Sequence, residues 1–291
     1  MLCITFTLEP LAEVLIIMNF AYEKPRTAEA LATLLAEVGP QASILAGGTD
    51  LIVQLRGRLI EPKVVIDIKG IEQLQQLEYH ADGGVTIGAA VPMNRIVDDA
   101  RMRFALASLP QAVSQIATFA IRNRATIAGN IANASPCADS VPPLVVLGAS
   151  VELRSKAGSR KLLLTEFIKH VRRTERRSDE FVSAVHIPAT AKTTKTFFRK
   201  RQRVRGHDLA LANAALLHDP ESKQLRLAIG SCSPAPVLLQ LDDLHDSLDA
   251  EQAAQRAMAA ISPISDVRSS AEYRTDMTGV LVRRLFADLK G

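Results

Sequence analysis

The 291 residues, 47% of them hydrophobic, are enough for two packed domains or two lobes around one ligand, and they exclude a disordered chain. Basic residues number 35 against 31 acidic, a net charge of only +4, and the chain has no Trp and 4% aromatics. That balance excludes a nucleic-acid surface built on positive charge and base stacking.

The opening MLCITFTLEPLAEVLII is apolar, but it lacks a basic start, carries Glu9 and Glu13, and is broken by Pro10. It does not form a targeting signal and is too short and too acidic to span a bilayer. Met18 begins an ordinary-looking start, so residues 1–17 are expected to be a loose extension or a mis-assigned initiation. AEALATLLAEV is apolar at helical spacing and stops at Gly39–Pro40. SILA then reads as a short buried strand, Gly47–Gly48 as a turn, and Thr49 as N-cap of the helix DLIVQLR. A strand, a glycine pair and a helix N-terminus together suit phosphate, because unpaired amides and the positive end of the helix dipole face the anion. The pattern is neither GxGxxG nor GxxxxGK[ST], so no Rossmann or Walker-type loop is present.

KVVIDI is a further strand, IEQLQQLEY a short amphipathic turn, and Asp82–Gly83–Gly84 a hairpin turn into VTIGAAV. PMNRIVDDARMR and FALASLPQAVSQIATFA read as helices that deliver the chain into IRNRATIAGNIANASPCADSVPPLVVL, residues 121–147. There a strand-like ATIA stops at Gly129–Asn130, and the eleven residues from Asn130 to Ser140 carry short side chains with Asp139 as the one acid. Short hydrogen-bonding side chains and glycine let backbone approach a ligand closely. The stretch is either a ligand cradle or an ordinary tight turn beneath a helix, and PLVVL after it is a buried segment.

VELRS, KLLLTEFI and FVSAVHIP are expected strands, with the charged VRRTERRSDE between them a solvated loop. AKTTKT, residues 191–196, is a plausible linker. FFRKRQRVRGHDLALANAALLHD then reads as strand, basic loop and strand, followed by a hairpin turn at residues 219–223 and QLRLAIGS. EQAAQRAMAAI and SAEYRTDMTGVLVRRLFADL are the closing helices. The basic run Arg199, Lys200, Arg201, Arg203 and Arg205 is a solvated face, a site for nucleotide phosphates, or a contact for a partner's acidic patch. Cys3, Cys137 and Cys232 are scattered without a CxxC pair, which argues against a disulfide framework and fits a reducing compartment such as the cytoplasm. The same scatter excludes an all-cysteine iron–sulfur cluster within this chain, and the six separated histidines give no metal site.

Six segments together resemble one family. AGGTDL at residues 46–51 and ATIAGNIANASPCAD at residues 125–139 are similar to the two glycine motifs of the FAD-binding medium subunit of molybdenum hydroxylases. This is the flavoprotein of the xanthine, carbon monoxide and nicotine dehydrogenase group. SAVHIP, the spacing of Phe198 and Lys200 to Asp208, AIGSCSPAP, and EYRTDMTGVLVRR at residues 272–284 follow in the family's order. Two departures stand out: Ala128–Gly129 replaces the family's usual glycine pair, and a cysteine-rich insertion found in some relatives is missing.

The resemblance implies an α+β chain built from α/β lobes. Residues 18–190 would be a vanillyl-alcohol-oxidase-type (PCMH-type) FAD-binding domain of two lobes, divided near residue 75. Residues 191–291 would be a smaller domain like the C-terminal part of carbon monoxide dehydrogenase flavoprotein. By the same resemblance, Ile44, Leu45, Ala46, Gly47, Gly48, Thr49 and Asp50 would wrap the FAD pyrophosphate. Thr126, Ile127, Ala128, Gly129 and Asn130 would hold the other side of the diphosphate and the ribityl chain. Asp139 would hydrogen-bond the ribityl or ring region, and Val182 and Lys200 would lie around the flavin ring.

The chain itself would hold no catalytic acid–base pair and no metal. A large partner subunit would carry a molybdenum cofactor and a small one iron–sulfur clusters, in a dimer of heterotrimers. Electrons would pass through FAD to NAD or another acceptor. The alternatives are a stand-alone FAD-dependent oxidase or reductase of the same superfamily, and a non-catalytic flavin-binding assembly protein. A chain starting at Met18 is expected to fold and to bind FAD as the full chain does; loss of soluble yellow protein on that truncation would make residues 1–17 part of the fold.

Overall fold

The computed structural model describes residues 19–291, so the expectation for residues 1–17 lies outside the described residues. Strand β1 (Ala21–Glu23) leads to helix α1 (Ala28–Val38), strand β2 (Ala42–Leu45), helix α2 (Leu51–Arg56) and strand β3 (Val64–Asp67). The strands form a parallel sheet in the order β1-β3-β2. The Thr27 hydroxyl accepts the Ala30 amide to start α1, whose Ala28, Leu31, Ala32 and Leu35 are buried, and Gly39 ends it at φ 56°. That angle lies in the left-handed region, which glycine adopts without steric cost.

The next region begins with β4 (Leu77–Tyr79) and β5 (Val85–Gly88). Six short helices follow: α3 (Met93–Asp98), α4 (Ala100–Ala105), α5 (Ser108–Ser114), α6 (Phe119–Arg122), α7 (Ile127–Ala132) and α8 (Val141–Val146). Then come β6 (Ser150–Ser155), β7 (Gly158–Leu163), α9 (Leu164–Phe167), the short pair β8 (Ile168–His170) and β9 (Arg173–Thr174), and β10 (Phe181–Ile187). The five-stranded sheet runs β4-β5-β10-β6-β7 with antiparallel neighbours throughout. Its central strand, β10, is buried at six of seven positions, as a strand covered on both faces must be.

The last sheet is an antiparallel meander of β11 (Lys195–Arg201), β12 (Ala212–Asp219), β13 (Gln224–Gly230) and β14 (Val237–Gln240). Helices α10 (Ala250–Ala260) and α11 (Ala271–Lys290) close the chain. The two-residue period of a strand divides this sheet between two cores. Ala214 and Leu216 of β12 join a cluster with α10 and α11, whereas Ala215 and Leu217 join the core formed by the preceding regions. The meander is therefore packed on both faces and sits on α5 and α8.

Four local expectations are corrected. ATIA is not a strand: the Thr126 hydroxyl accepts the Gly129 amide at 3.0 Å and caps α7, and this capping bond outweighs β propensity. Thr49 is not an N-cap, because the cap position is Asp50 and its side chain makes no capping bond. The continuous helix expected over residues 104–120 breaks between α4 and α5; Pro110 sits in the first turn of α5, where its missing N–H has no helical partner to lose. KLLLTEFI divides between β7, α9 and β8.

The supposed solvated loop at residues 171–180 contains β9 and ends on a buried acid. Glu180 accepts from Arg160 Nε at 2.7 Å and Nη2 at 2.9 Å, and from the Arg177 amide at 2.8 Å. The Arg160 bond, foremost, holds the Glu180 carboxyl below its ordinary range. Glu180→Ala is expected to cost about 1.5–3 kcal/mol at neutral pH, the usual value of hydrogen bonds to a charged group. Because the folded value is depressed, this contribution is complete above the unfolded glutamate value of about 4.3 and is lost as pH falls through the folded value. Urea midpoints of the parent and variant should therefore differ at pH 7 and converge in acid.

Candidate functional site

All three large sheets contribute walls to one cleft of about 830 Å³. That volume is at the upper end of the usual range for small-molecule sites, about 300–1,000 Å³. β2 and the turn after it bring Ile44, Ala46, Gly47, Gly48, Thr49 and Asp50 to the cleft, and α7 brings Thr126, Ala128, Gly129 and Asn130. Asp139, Val182 and Lys200 complete the expected set. Leu45 and Ile127 are exceptions. Ile127 is fully buried in the core behind α7, and Leu45 backs the turn, with its Cδ1 only 2.8 Å from where a Gly48 Cβ would stand.

Two glycines shape the turn for different reasons. A Cβ on Gly47 would lie 2.2 Å from the Arg124 carbonyl oxygen, so here the two glycine-containing segments meet backbone to backbone. Gly48 has φ 79°, a conformation that L side chains rarely adopt. The first helical bond after the turn runs from the Ile52 amide to the Gly48 carbonyl at 3.0 Å. Amides at the start of a helix have no partner within it, and here they belong to residues lining the cleft. On α7 the Thr126 hydroxyl is committed to its cap, while Ser140 donates to Asn130 Oδ1 at 2.7 Å and leaves the Asn130 amide group available.

At the seam with the C-terminal sheet, Lys200, Asn213 and Gly230 stand directly opposite one another on β11, β12 and β13. Asp139 is seated over this row. Lys200 Nζ donates to Asp139 Oδ2 at 2.7 Å and Asn213 Nδ2 to Oδ1 at 2.7 Å, all three side chains being buried. Burial pushes the Asp139 carboxyl upward, against the pull of the Lys200 ammonium and the Asn213 amide. Asp139 was expected to serve a ligand; both of its oxygens are already engaged by protein donors. Beside them, the β10–β6 register shifts between Val182 and Ala184, a bulge of the kind that re-aims a side chain, and Val182 lines the cleft.

The basic run does not deliver its arginines to the cleft. Arg203 forks onto Asp208 with two 3.0 Å bonds and holds that carboxyl down at about 2, Arg201 donates to the Tyr273 hydroxyl at 2.9 Å, and Arg199 pairs with Asp288. From that segment only Lys200, His207, Asp208 and Leu209 line the walls. Sequence reasoning missed Arg172, Arg176 and Cys137, all of which are wall residues. The two arginines lie in a run of charge that looks like ordinary surface, and nothing local distinguishes them. Among the described residues no group of three or more His, Cys, Asp or Glu is placed to hold a metal ion.

Removing one member of a buried ion pair leaves the other charge uncompensated, at a cost of about 3–5 kcal/mol. Lys200→Met is expected to show a loss of that order in urea denaturation, and Asp139→Asn combined with Lys200→Met should recover most of it. Strict additivity of the two substitutions would mean that the pair is not coupled.

Comparison with known proteins agrees with this geometry along the chain. The model of the FAD binding domain in molybdopterin dehydrogenase matches residues 18–190, and that of the CO dehydrogenase flavoprotein C-terminal domain matches residues 196–289. The chain is 28% identical over 286 residues to the xanthine dehydrogenase FAD-binding subunit of Escherichia coli O157:H7, covering 92% of this chain and 95% of that protein. It is 28% identical over 274 residues to the carbon monoxide dehydrogenase medium chain of Hydrogenophaga pseudoflava, covering 91% and 95%. The crystal structure of quinoline 2-oxidoreductase from Pseudomonas putida 86 superimposes with a TM-score of 0.85 at 27% identity, covering 92% of this chain and 96% of that one. The first family match alone spans more than half of the sequence, and the chain belongs to the FAD-binding subunits of the molybdenum hydroxylases, a family of oxidoreductases.

Proposed function

We propose that this chain holds FAD in the cleft and relays electrons from a redox centre in a partner subunit to an external acceptor, for which NAD is the candidate. The observation that carries the reading is the backbone contact at Gly47, which joins the two small-residue segments into one wall of a cleft large enough for a dinucleotide. The residues fit the group: a positive-φ glycine, a helix start and the free Asn130 amide offer donors with little side-chain bulk. In this reading, residues 46–50 and 128–130 hold the diphosphate and ribityl chain, and Val182 and Lys200 border the ring. When bound, FAD supplies the capacity to take up and release electrons, which no side chain of the cleft provides. The chain's own part is to bind, orient and electrostatically tune that group, with Lys200 Nζ held 2.7 Å from Asp139 Oδ2.

The partners we assign are a large subunit with a molybdenum cofactor and a small subunit with iron–sulfur clusters, in a dimer of heterotrimers. The names of the relatives support a multi-chain assembly, since one is called a FAD-binding subunit and another a medium chain. We further assign residues 18–190 to the FAD-binding domain, in two lobes divided near residue 75, and residues 191–291 to the domain that closes the cleft with Lys200. The free Cys137 and Cys232 fit a reducing, cytoplasmic setting, and no helix among the described residues is long and apolar enough to cross a membrane.

Gly48→Val tests the cofactor site. A β-branched side chain at positive φ should abolish flavin occupancy while the far-ultraviolet circular dichroism stays native-like. Unchanged flavin absorbance in the purified variant would remove the turn from the diphosphate site. Single-turnover flavin reduction and NADH formation in the assembled complex would then test the relay and its acceptor.

A further inference from the structure

The charged residues of the cleft wall are not equally compensated. Asp139 is paired with Lys200, Asp208 with Arg203, and Asp50 accepts from Asn133 Nδ2 at 3.0 Å with Arg172 3.9 Å away. Arg176 stands apart. Its Nη1 donates to the carbonyls of Arg177 at 3.0 Å and Glu180 at 2.7 Å, which fix the guanidinium but do not neutralise it. One candidate counter-ion, the Glu180 carboxylate, is consumed by both arms of Arg160 and by the Arg177 amide. Asp179 and Glu180 attract Arg176 only at longer range, and among the described residues no carboxylate forms an ion pair with it. Burial accordingly pulls its pKa down. A partly desolvated cation without a counter-ion is unfavourable unless an anion arrives to share it.

We propose that Arg176 is the cationic anchor of the cleft and binds the diphosphate of a dinucleotide, with Arg172 as a second cation farther along the same segment. The inference rests on reading the cleft as a dinucleotide site and goes beyond it by assigning the charge recognition to the segment at residues 171–180. A guanidinium offers a planar fork that matches two phosphate oxygens, and a charge-assisted bond of this kind is stronger than one from a neutral amide. The segment after Lys200 does not take this role: Arg201 and Arg203 do not line the cleft, and they are engaged with Tyr273 and Asp208.

The diphosphate has two sources, FAD itself or a second dinucleotide such as NADH, and two titrations separate them. In the first, the full chain stripped of flavin is titrated with FAD and with riboflavin, which lacks phosphate. In the second, the FAD-loaded chain is titrated with NADH. Arg176→Leu is expected to weaken FAD in the first titration, or NADH in the second, by about ten- to a hundredfold. Riboflavin affinity should be unchanged, and Arg176→Lys, which keeps the charge without the fork, should fall between. Inorganic pyrophosphate should displace the affected dinucleotide from the parent and compete more weakly against the Leu variant.

FAD and NADH affinities both within about twofold of the parent would overturn the assignment. A parallel loss of riboflavin and FAD would overturn it too, because Arg176 would then only prop the turn against the carbonyls of Arg177 and Glu180. A parent chain that takes up neither FAD nor riboflavin would sink the cofactor reading itself and this inference with it, an outcome visible before any variant is made.

Discussion

The ion pair between Asp139 and Lys200 is the contact on which the arrangement of the three sheets depends. Each partner alone would be a buried charge costing several kcal/mol, so docking of the turn bearing Asp139 onto the sheet bearing Lys200 is what compensates both. Asn213 adds a neutral donor to the other carboxylate oxygen, and Gly230 keeps the row open; a Cβ there would stand 2.3 Å from Asn213 Oδ1 and 3.1 Å from Pro142. The sheet alternation explains why these polar groups share one face. Lys200, Asn213 and Gly230 are opposite one another across the ladder, and the neighbouring Ala212, Ala214 and Ile229 belong to the α10–α11 core instead. A cleft wall thus becomes the seam between regions that are distant in sequence.

The second constraint is steric. Gly47 abuts the Arg124 carbonyl so closely that no side chain fits, while Ala128 carries its methyl into the core and is 3% exposed. This accounts for the departure from the family's usual glycine pair. The position that became alanine faces packing that accepts a methyl. Gly129, by contrast, would bring a Cβ to 3.0 Å from the Thr126 hydroxyl that caps the helix. One methyl is tolerated where the neighbour is apolar and crowds a hydrogen bond one residue later.

Which features were legible in the sequence follows from how local their causes are. The strand–glycine–helix turn at residues 43–56 and the small-residue segment after it were visible because glycine and short polar side chains mark backbone that must bend or come close. Thr126 was misread because ATIA fits β propensity, and only the Gly129 amide three residues on reveals a cap. Pairings across the fold were invisible: Lys200 is 61 residues from Asp139, and Arg160 is 20 from Glu180. The two basic runs were weighted the other way, residues 171–180 as a solvated loop and Arg199–Arg205 as the candidate phosphate or partner site. In one, Arg199, Lys200 and Arg203 are each paired with an acid, and the other leaves Arg176 on the cleft wall with none among the described residues, a difference decided by which acids the fold brings near.

The same electrostatic logic holds the wall segment that carries Asp208 and Leu209. Arg274, at the start of α11 and 1% exposed, donates to the Leu211 carbonyl at 2.8 Å and to Asp266 at 2.9 Å. Asp266 also accepts from Arg268, whose guanidinium reaches the Cys137 sulfur in the cleft wall at 3.5 Å. One end of the segment carrying Asp208 and Leu209 is therefore tied into a buried network. Its other tie, Arg203 to Asp208, involves a guanidinium that is 49% exposed. Exposed pairs contribute little and are screened over roughly 8–10 Å at ordinary ionic strength, whereas the buried one is screened far less. The weaker tie is the one at the cleft wall, so ionic strength acts first on the loop carrying Asp208 and Leu209 and leaves the buried Asp139–Lys200 pair intact.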